Sequence, residues 1–408
     1  MSTDRDFVAG VIEGFYGPPW SWDERRSVID ALARWGGNWY VWAPKADPRH
    51  RDSWRDDFTA DEVAGFSSLT GRGVGISIGL TPGADATPDD VVAKLSSVAR
   101  FADGFTLCFD DLDDYEQYRR HAAITNRVRD EFGLVTWIVP THYAGITDSP
   151  YLSGLVGSLH PDIAVMWTGL TVVCDSITTD EARLRTEATG GRVPLVWDNT
   201  PVNDAMMRDL LHLGPYSGRE SALRDAVAGV LVNPMEIASA SRPTIRSAMA
   251  WANRRDHLAE WAEEVESLGL GELAGATAFP SEHHWPGDRP DREWWSRVAS
   301  MPTFDDVRLE RWATAARDGA RAAVALLDID GDVHDPRSIG PVIMAIRAWR
   351  EWSRHEASTF GRGPRMRPVF GQGETGRFHF ESDTIGESTS LVDRLVAHIL
   401  GPDRSNNP

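Results

Sequence analysis

Eight short apolar segments of β-type composition recur between residues 7 and 232, and helical patterns separate them. The segments span residues 7–12, 39–43, 74–80, 105–109, 135–139, 163–167, 193–197 and 227–232. Between and after them, apolar residues recur with 3.6-residue periodicity over residues 22–35, 61–69, 89–101, 115–132, 179–186, 204–213 and 242–252. The first of these opens on Ser21, with Glu24 three residues on, a capping box. Strands that alternate with helices imply parallel βαβ units, because a parallel pair needs a crossover long enough to hold a helix. Eight such units predict a closed (β/α)8 barrel of the TIM type. The alternative is an open doubly wound sheet, but the first strand-to-helix turn reads EGFYGPPW and lacks a GxGxxG phosphate cradle.

The ends of the strands carry the functional argument. In order they deliver Glu13 to Tyr16, Lys45, Thr81, Asp110 with Asp111, Thr141 to Tyr143, Thr168, Asp198 with Asn199, and Asn233. The strand bodies are apolar, so polar side chains cluster at the C-terminal tips, which in a barrel all face one mouth. Any one polar tip is explained by the need for a strand to end at the surface; eight in register are less easily explained that way. The stretch GFTLCFDDLDD (residues 104–114) stands out, since a buried strand ending in two adjacent carboxylates suits acid/base chemistry. Asp113 and Asp114 are expected to open the following helix, where negative charge suits the dipole.

Composition bounds the partners. A formal net charge of −19 argues against nucleic acid and anionic membrane surfaces, both of which need clustered Lys and Arg. No apolar run approaches the ~20 residues that span a bilayer. The opening residues MSTDRDFVAG lack the basic and apolar blocks of a secretory signal. Cys108 and Cys174 sit in apolar contexts and suggest no disulfide framework, which fits a reducing cytoplasm. Beyond about residue 260 the pattern becomes helical, over residues 257–268, 306–327, 340–355 and 387–400, with Trp295, Trp312, Trp349 and Trp352 among them. The expected organisation is a catalytic barrel over residues 1–260, a smaller all-helical C-terminal domain over 261–400, and a tail at 401–408. Residues 279–290 and 361–376 are Pro/Gly-rich and are expected as loops. The Trp-rich helical region could pack on its own barrel or on a second subunit as a homodimer. Some of the seventeen Trp could serve as flat platforms for sugar rings.

Seven segments together carry a resemblance: GVIEGFYGPPW (10–20), YVWAPKADPRHR (40–51), FDDLDD (109–114), PTHY (140–143), VMWTG (165–169), VWDNTPVND (196–204) and VLVNP (230–234). In order and spacing they resemble glycoside hydrolase family 84, the O-GlcNAcases and related β-N-acetylglucosaminidases. The resemblance covers residues 7–240; the helical region resembles the family only in general character. It implies hydrolysis of a β-linked N-acetylglucosamine in which the substrate's own 2-acetamido oxygen attacks the anomeric carbon, an exception to the usual two-carboxylate scheme. It also implies a role for each matching residue. Asp110 would accept the acetamido N–H and stabilise the oxazolinium. Asp111 would protonate the glycosidic oxygen and then deprotonate the water. Gly14, Lys45 and Asn233 would meet ring hydroxyls, and Asp204 would hold O4 and O6. Tyr143 and Asn199 would contact the acetamido group. Thr168 would line its pocket, Trp197 would form the apolar wall, and Tyr16 would shape the entrance. No cofactor and no metal are implied; the partner is a GlcNAc-bearing glycoconjugate.

Each residue also has a plainer reading: Lys45 a surface cation, Asn199 a turn residue, Asp204 the N-cap of the next helix, Thr168 ordinary β-propensity. The sequence departs from the family's pattern at Pro18, Leu170 and Ala205, around the rim. Three rivals stand beside this reading. One is a metal-dependent hydrolase using Asp110, Asp111, Asp113 and Asp114; no His-x-His or HExxH pattern joins them, and His283 and His284 lie far along the chain. Another is a non-catalytic GlcNAc-binding barrel. The third is the same chemistry on hyaluronan or peptidoglycan fragments, of which a polyanion suits an acidic protein poorly.

Overall fold

The computed structural model describes residues 7–110, 117–277, 290–329, 335–355, 357–360, 363–364, 370–372, 378–380, 387–388 and 390–400. Its first compact unit comprises Met1–Asp204, Pro215–Trp261 and Val369–Ser382. Here eight strands, β1 (Val8–Glu13), β2 (Trp39–Trp42), β3 (Gly75–Leu80), β4 (Gly104–Cys108), β5 (Val135–Val139), β6 (Ala164–Trp167), β7 (Leu195–Asp198) and β8 (Gly229–Val232), form a closed barrel. Every neighbouring pair is parallel, and β1 closes on β8 through Val8–Gly229 to Val11–Val232. The TIM-type barrel expected from the alternation is thus present. Its interior is filled by inward side chains, including Ile12, Val41, Cys108, Trp137, Met166, Leu195 and Leu231. Trp39 and Trp137 meet edge to face, 4.7 Å between ring centroids.

The crossover helices are α1 (Trp22–Trp35), α2 (Ala60–Leu69), α3 (Pro88–Ser96), α4 (Tyr118–Phe132), α5 (Pro150–Ser158) and α6 (Thr179–Ala188), with α7 (Ala238–Ala252) following β8. Four of them, α1, α2, α3 and α6, start with a reciprocal capping box, from Ser21, Thr59, Thr87 and Thr178. α5 carries little helical signal in the sequence, because Gly154 and Gly157 dilute its propensity and its apolar stripe is short. Its signals are nonetheless present: Ser149 caps it and Pro150 occupies the first turn.

Residues 204–213, expected as a helix, form only a 3-10 turn at Ala205–Met207 and then irregular chain. Ala205 has φ +51°, a left-handed conformation that cannot propagate a helix. The Asp209 carbonyl instead accepts from Trp312 Nε1 at 3.0 Å and the Ser358 amide at 2.7 Å.

The second unit comprises Ala205–Gly214, Ala262–Pro368 and Asp383–Pro408. It is mainly helical. After α8 (His257–Ser267), whose start belongs to the first unit, come α9 (Gly271–Thr277), α10 (Arg292–Ala299), α11 (Val307–Leu327), α12 (Pro336–His355) and α13 (Leu391–Leu400). α11 buries a face of alanines, Ala313, Ala316, Ala320 and Ala323, in a core with Trp295, Trp312, Trp349 and Phe360. Two short antiparallel pairs add to the helices: β9 (Gly363–Pro364) with β12 (Glu387–Ser388), and β10 (Phe370–Gln372) with β11 (Phe378–Phe380), the latter counted in the first unit. Residues 361–376, expected as loop, therefore contain strand. The last helix starts at Leu391, not at residue 387, because the Ser390 hydroxyl caps it by accepting the Asp393 amide at 3.0 Å. The expected loop at 279–290 lies outside the described residues except for Pro290, and the tail at 401–408 lies wholly outside them. Among the described residues no helix is long and apolar enough to cross a membrane.

Candidate active site

Because all eight strands run parallel, their C-terminal tips share one mouth. At the tip of β4, one residue past Phe109, Asp110 is 5% exposed, and its Oδ2 accepts a hydrogen bond from Lys45 Nζ beyond β2. The same two groups form a buried ion pair. Burial pushes the Asp110 carboxyl up. The charge and hydrogen bond of Lys45, with the charge of Arg51, overcome this and hold it below the usual carboxylate range. Asp110 is therefore an anion at neutral pH. Its Oδ1 is buried and has no hydrogen-bond partner among the described residues. A buried carboxylate oxygen left unsatisfied is costly, and a ligand N–H would satisfy it.

A second set of predicted residues is linked through amides. Asn233, after β8, accepts the Gly14 amide on Oδ1 at 3.1 Å and donates Nδ2 to Asn199 Oδ1 at 2.9 Å. Asn199 Oδ1 also accepts from Trp197 Nε1 at 2.9 Å, and Asn199 Nδ2 donates to the Val172 carbonyl at 2.6 Å. Gly14, Asn233, Asn199 and Trp197 thus form one chain across β1, β8 and β7. Lys45 joins it from above the Trp197 ring, with Nζ 5.3 Å from the centroid. Gly14 has no room for a side chain, since a Cβ there would lie 2.2 Å from Trp197 Cζ2.

Tyr143 and Thr168 meet through the backbone, the Thr168 amide donating to the Tyr143 carbonyl at 3.0 Å. Tyr143 is buried in the same apolar cluster as Trp197, and the Thr168 hydroxyl donates to the Thr171 carbonyl at 2.9 Å. Tyr16 is 45% exposed; its amide donates to Asp204 Oδ2 at 2.7 Å and its hydroxyl accepts from Arg51 Nη1 at 3.0 Å. No α-helix follows Asp204 for it to cap. Leu170 and Pro18 are exposed.

Not every polar tip belongs to this set. Glu13 is fully buried and accepts both Nε and Nη2 of Arg25 at 2.8 Å, the Trp20 amide at 3.0 Å and the Tyr40 hydroxyl. Asp198 is held likewise, by Arg219 Nε at 2.8 Å, Arg219 Nη2 at 2.6 Å and Tyr216 Oη at 2.7 Å. These carboxylates have their oxygens engaged by the fold and act as anchors directly before Gly14 and Asn199. Thr81 binds the His50 ring at 3.2 Å, and the Thr141 hydroxyl donates to the Phe109 carbonyl at 2.9 Å. Little in the sequence sets apart Arg51, whose charge reaches Asp110, or Arg219 and Arg25, which hold Asp198 and Glu13. The only sequence signal for Arg51 was its place in the YVWAPKADPRHR segment. Asp111, Asp113 and Asp114 lie outside the described residues, so the acid assigned to Asp111 and the metal alternative built on this cluster gain no geometry here. Among the described residues no group of His, Cys, Asp or Glu is arranged to hold a metal ion.

The closed parallel barrel, with a buried Lys–Asp pair and linked amides at its C-terminal mouth, places the chain in the class of (β/α)8-barrel proteins with a polar site at the strand tips. A sequence model of the beta-N-acetylglucosaminidase family matches residues 9–277. The chain belongs to this family of glycoside hydrolases. It is 33% identical over 276 residues to the Protein O-GlcNAcases of Rattus norvegicus and Mus musculus, a match covering 60% of this chain and 30% of each mammalian protein. Among solved structures, its fold is similar to a mutant of the Thermobaculum terrenum O-GlcNAc hydrolase, with a TM-score of 0.70 at 20% identity over 85% of this chain and 89% of that one. It is also similar to CpGH84B, with a TM-score of 0.74 at 21% identity over 86% and 74% of the two chains.

Proposed function

We propose that this protein is a retaining β-N-acetylglucosaminidase that removes terminal β-linked GlcNAc through an oxazoline intermediate. The observation that carries the reading is Asp110: an anion at the barrel mouth with one oxygen on Lys45 and the other, buried, awaiting a donor. In the first step the acetamido oxygen attacks the anomeric carbon, the C–O bond to the aglycone breaks, and a proton passes from Asp111 to the departing oxygen. Asp110 accepts the acetamido N–H, turns the carbonyl toward the anomeric carbon and balances the charge of the oxazolinium. In the second step Asp111, now a carboxylate, takes a proton from water, which opens the ring at the anomeric carbon. Two displacements return the β-anomer.

The remaining roles are those that the family resemblance implies for the matching residues. Lys45, Asn233 and the Gly14 backbone meet the sugar hydroxyls, and Asp204 holds O4 and O6. Tyr143 and Asn199 contact the acetamido group, Thr168 and Trp197 bound its pocket, and Tyr16 stands at the entrance. A pocket lined by hydroxyl partners rejects sugars that lack one, because a hydrogen bond made in the complex is then lost. The 33% identity to Protein O-GlcNAcases supports protein-linked O-GlcNAc as a substrate, and we place the reaction in the cytoplasm, whose reducing conditions suit the free thiols of Cys108 and Cys174.

Hydrolysis of an aryl β-N-acetylglucosaminide by the wild type and by Asp110→Asn tests the reading. Turnover with the β-anomer as first product, falling by about 100-fold or more in the variant, is expected. No turnover by a folded wild type would instead favour the GlcNAc-binding barrel. Asp111→Asn should lose most activity on substrates with poor leaving groups and less on aryl glycosides with good ones; equal loss on both would remove Asp111 as the acid.

A further inference from the structure

Arg185, in the last turn of α6, is only 1% exposed, and among the described residues it forms no ion pair with any carboxylate. Taking a guanidinium out of water without a counter-charge is costly, so a packed apolar residue would be the cheaper occupant. What Arg185 provides is a fork of donors. Nη2 donates to the His142 carbonyl at 2.8 Å and Nη1 to the Gly145 carbonyl at 3.2 Å, while Nε has no partner among the described residues. These two carbonyls bracket Tyr143. The rest of the turn is tied to the tip of β6: Trp167 Nε1 donates to the Gly145 carbonyl at 2.9 Å, the Thr168 amide to the Tyr143 carbonyl at 3.0 Å, and the Gly145 amide to the Gly169 carbonyl at 2.9 Å. Gly145 itself has φ +84°, the left-handed conformation that turns the chain back toward β6. Burial lowers the Arg185 guanidinium to about 9, so it remains a cation at neutral pH.

We propose that Arg185 is a positioning residue for the glycosidase reaction: it clamps the turn 142–145 from α6 and thereby sets the place of the Tyr143 side chain against the substrate's acetamido group. The inference rests on the reading of Tyr143 given above. It separates the two kinds of work in the turn, since the β6 contacts hold its backbone to the barrel and Arg185 holds both ends at the spacing Tyr143 needs. A misplacement of about 1 Å in such a group can cost on the order of 100-fold.

A double-mutant cycle on an aryl β-N-acetylglucosaminide tests it, using Arg185→Met, Arg185→Lys, Tyr143→Phe and the combinations. Arg185→Met is expected to lower kcat by about 10- to 100-fold with KM changed less than about threefold. A 1,2-fused thiazoline analogue of the oxazoline should lose affinity by a similar factor, read as a smaller ligand-induced rise in Tm. Arg185→Lys, which keeps the charge and one donor, should restore part of kcat; it also carries the test should Arg185→Met fail to fold. In the Tyr143→Phe background either substitution should cost less than about twofold more, since the group being positioned is gone. Additive losses, or a folded Arg185→Met with wild-type kcat and a lowered Tm only, would overturn the inference and leave the glycosidase reading intact. An inactive, folded wild type would overturn both.

Discussion

At the scale of single residues, the site is a set of groups whose chemistry is set by one or two neighbours. Asp110 stays ionised in a buried place because Lys45 and Arg51 outweigh desolvation. Removing Lys45 reverses that balance: in Lys45→Met the carboxyl should rise above its ordinary value, and the acid limb of the kcat/KM profile should move to higher pH. The sign follows from linkage. A depressed carboxylate adds stability that is present above its unfolded pKa and lost as pH falls through the folded one, and the variant forfeits it. Breaking the buried pair should also destabilise the fold by about 3–5 kcal/mol. An unchanged acid limb in the variant would refute the assignment. Gly14 offers a second test. A Cβ there would sit 2.2 Å from the Trp197 ring, so Gly14→Ala must displace the indole from its place under Lys45. Activity should fall by about 100-fold while the far-ultraviolet circular dichroism stays unchanged; wild-type kinetics would show that the ring wall is dispensable. Neither contact was legible in the sequence, where Gly14 and Trp197 are 183 positions apart.

At the scale of elements, the strands and the capped helices were legible and their connections less so. Ser21 and Glu24 announce α1, and the structure makes both halves of the box, with the Glu24 amide on Ser21 Oγ at 3.2 Å and the Ser21 amide on Glu24 Oε2 at 2.8 Å. Ser21→Ala should lower stability by about 1 kcal/mol in denaturant unfolding without altering kcat. A loss of activity at unchanged stability would mean that α1 has a role its position on the outside of the barrel does not suggest. The segment after Asp204 shows the opposite case. Its apolar spacing reads as helical, but tertiary donors to the Asp209 carbonyl and the left-handed Ala205 override the local pattern.

At the scale of the whole molecule, acid sensitivity gathers in buried histidines. Burial lowers His50 and His121 to about 3, and burial with the charge of Arg185 lowers His142 to about 4. All three are therefore neutral in the folded barrel, whereas the unfolded chain protonates them near pH 6.5. The unfolded state binds more protons below that pH, so stability is intact above about 6.5 and is lost toward 4, at up to about 1.4 kcal/mol per pH unit per histidine. Denaturant midpoints at pH 7, 6 and 5 check this. A flat response would mean that these rings are protonated within the fold.

The residue order alone determined the barrel. Eight apolar runs, most of them separated by helices, leave few ways to bury both faces of every strand, and parallel closure is one a chain of this length reaches readily. It also determined which tips are polar, since that is written in the chain position by position. Only the tertiary structure decided what each polar tip does. Glu13 and Asp198 look no different in sequence from Asp110, yet two of these carboxylates close on buried arginines brought in by other elements, and one keeps a buried oxygen without a partner among the described residues. The difference lies in long-range partners such as Arg219 and Lys45, whose distances to a carboxylate exist only once the barrel has closed.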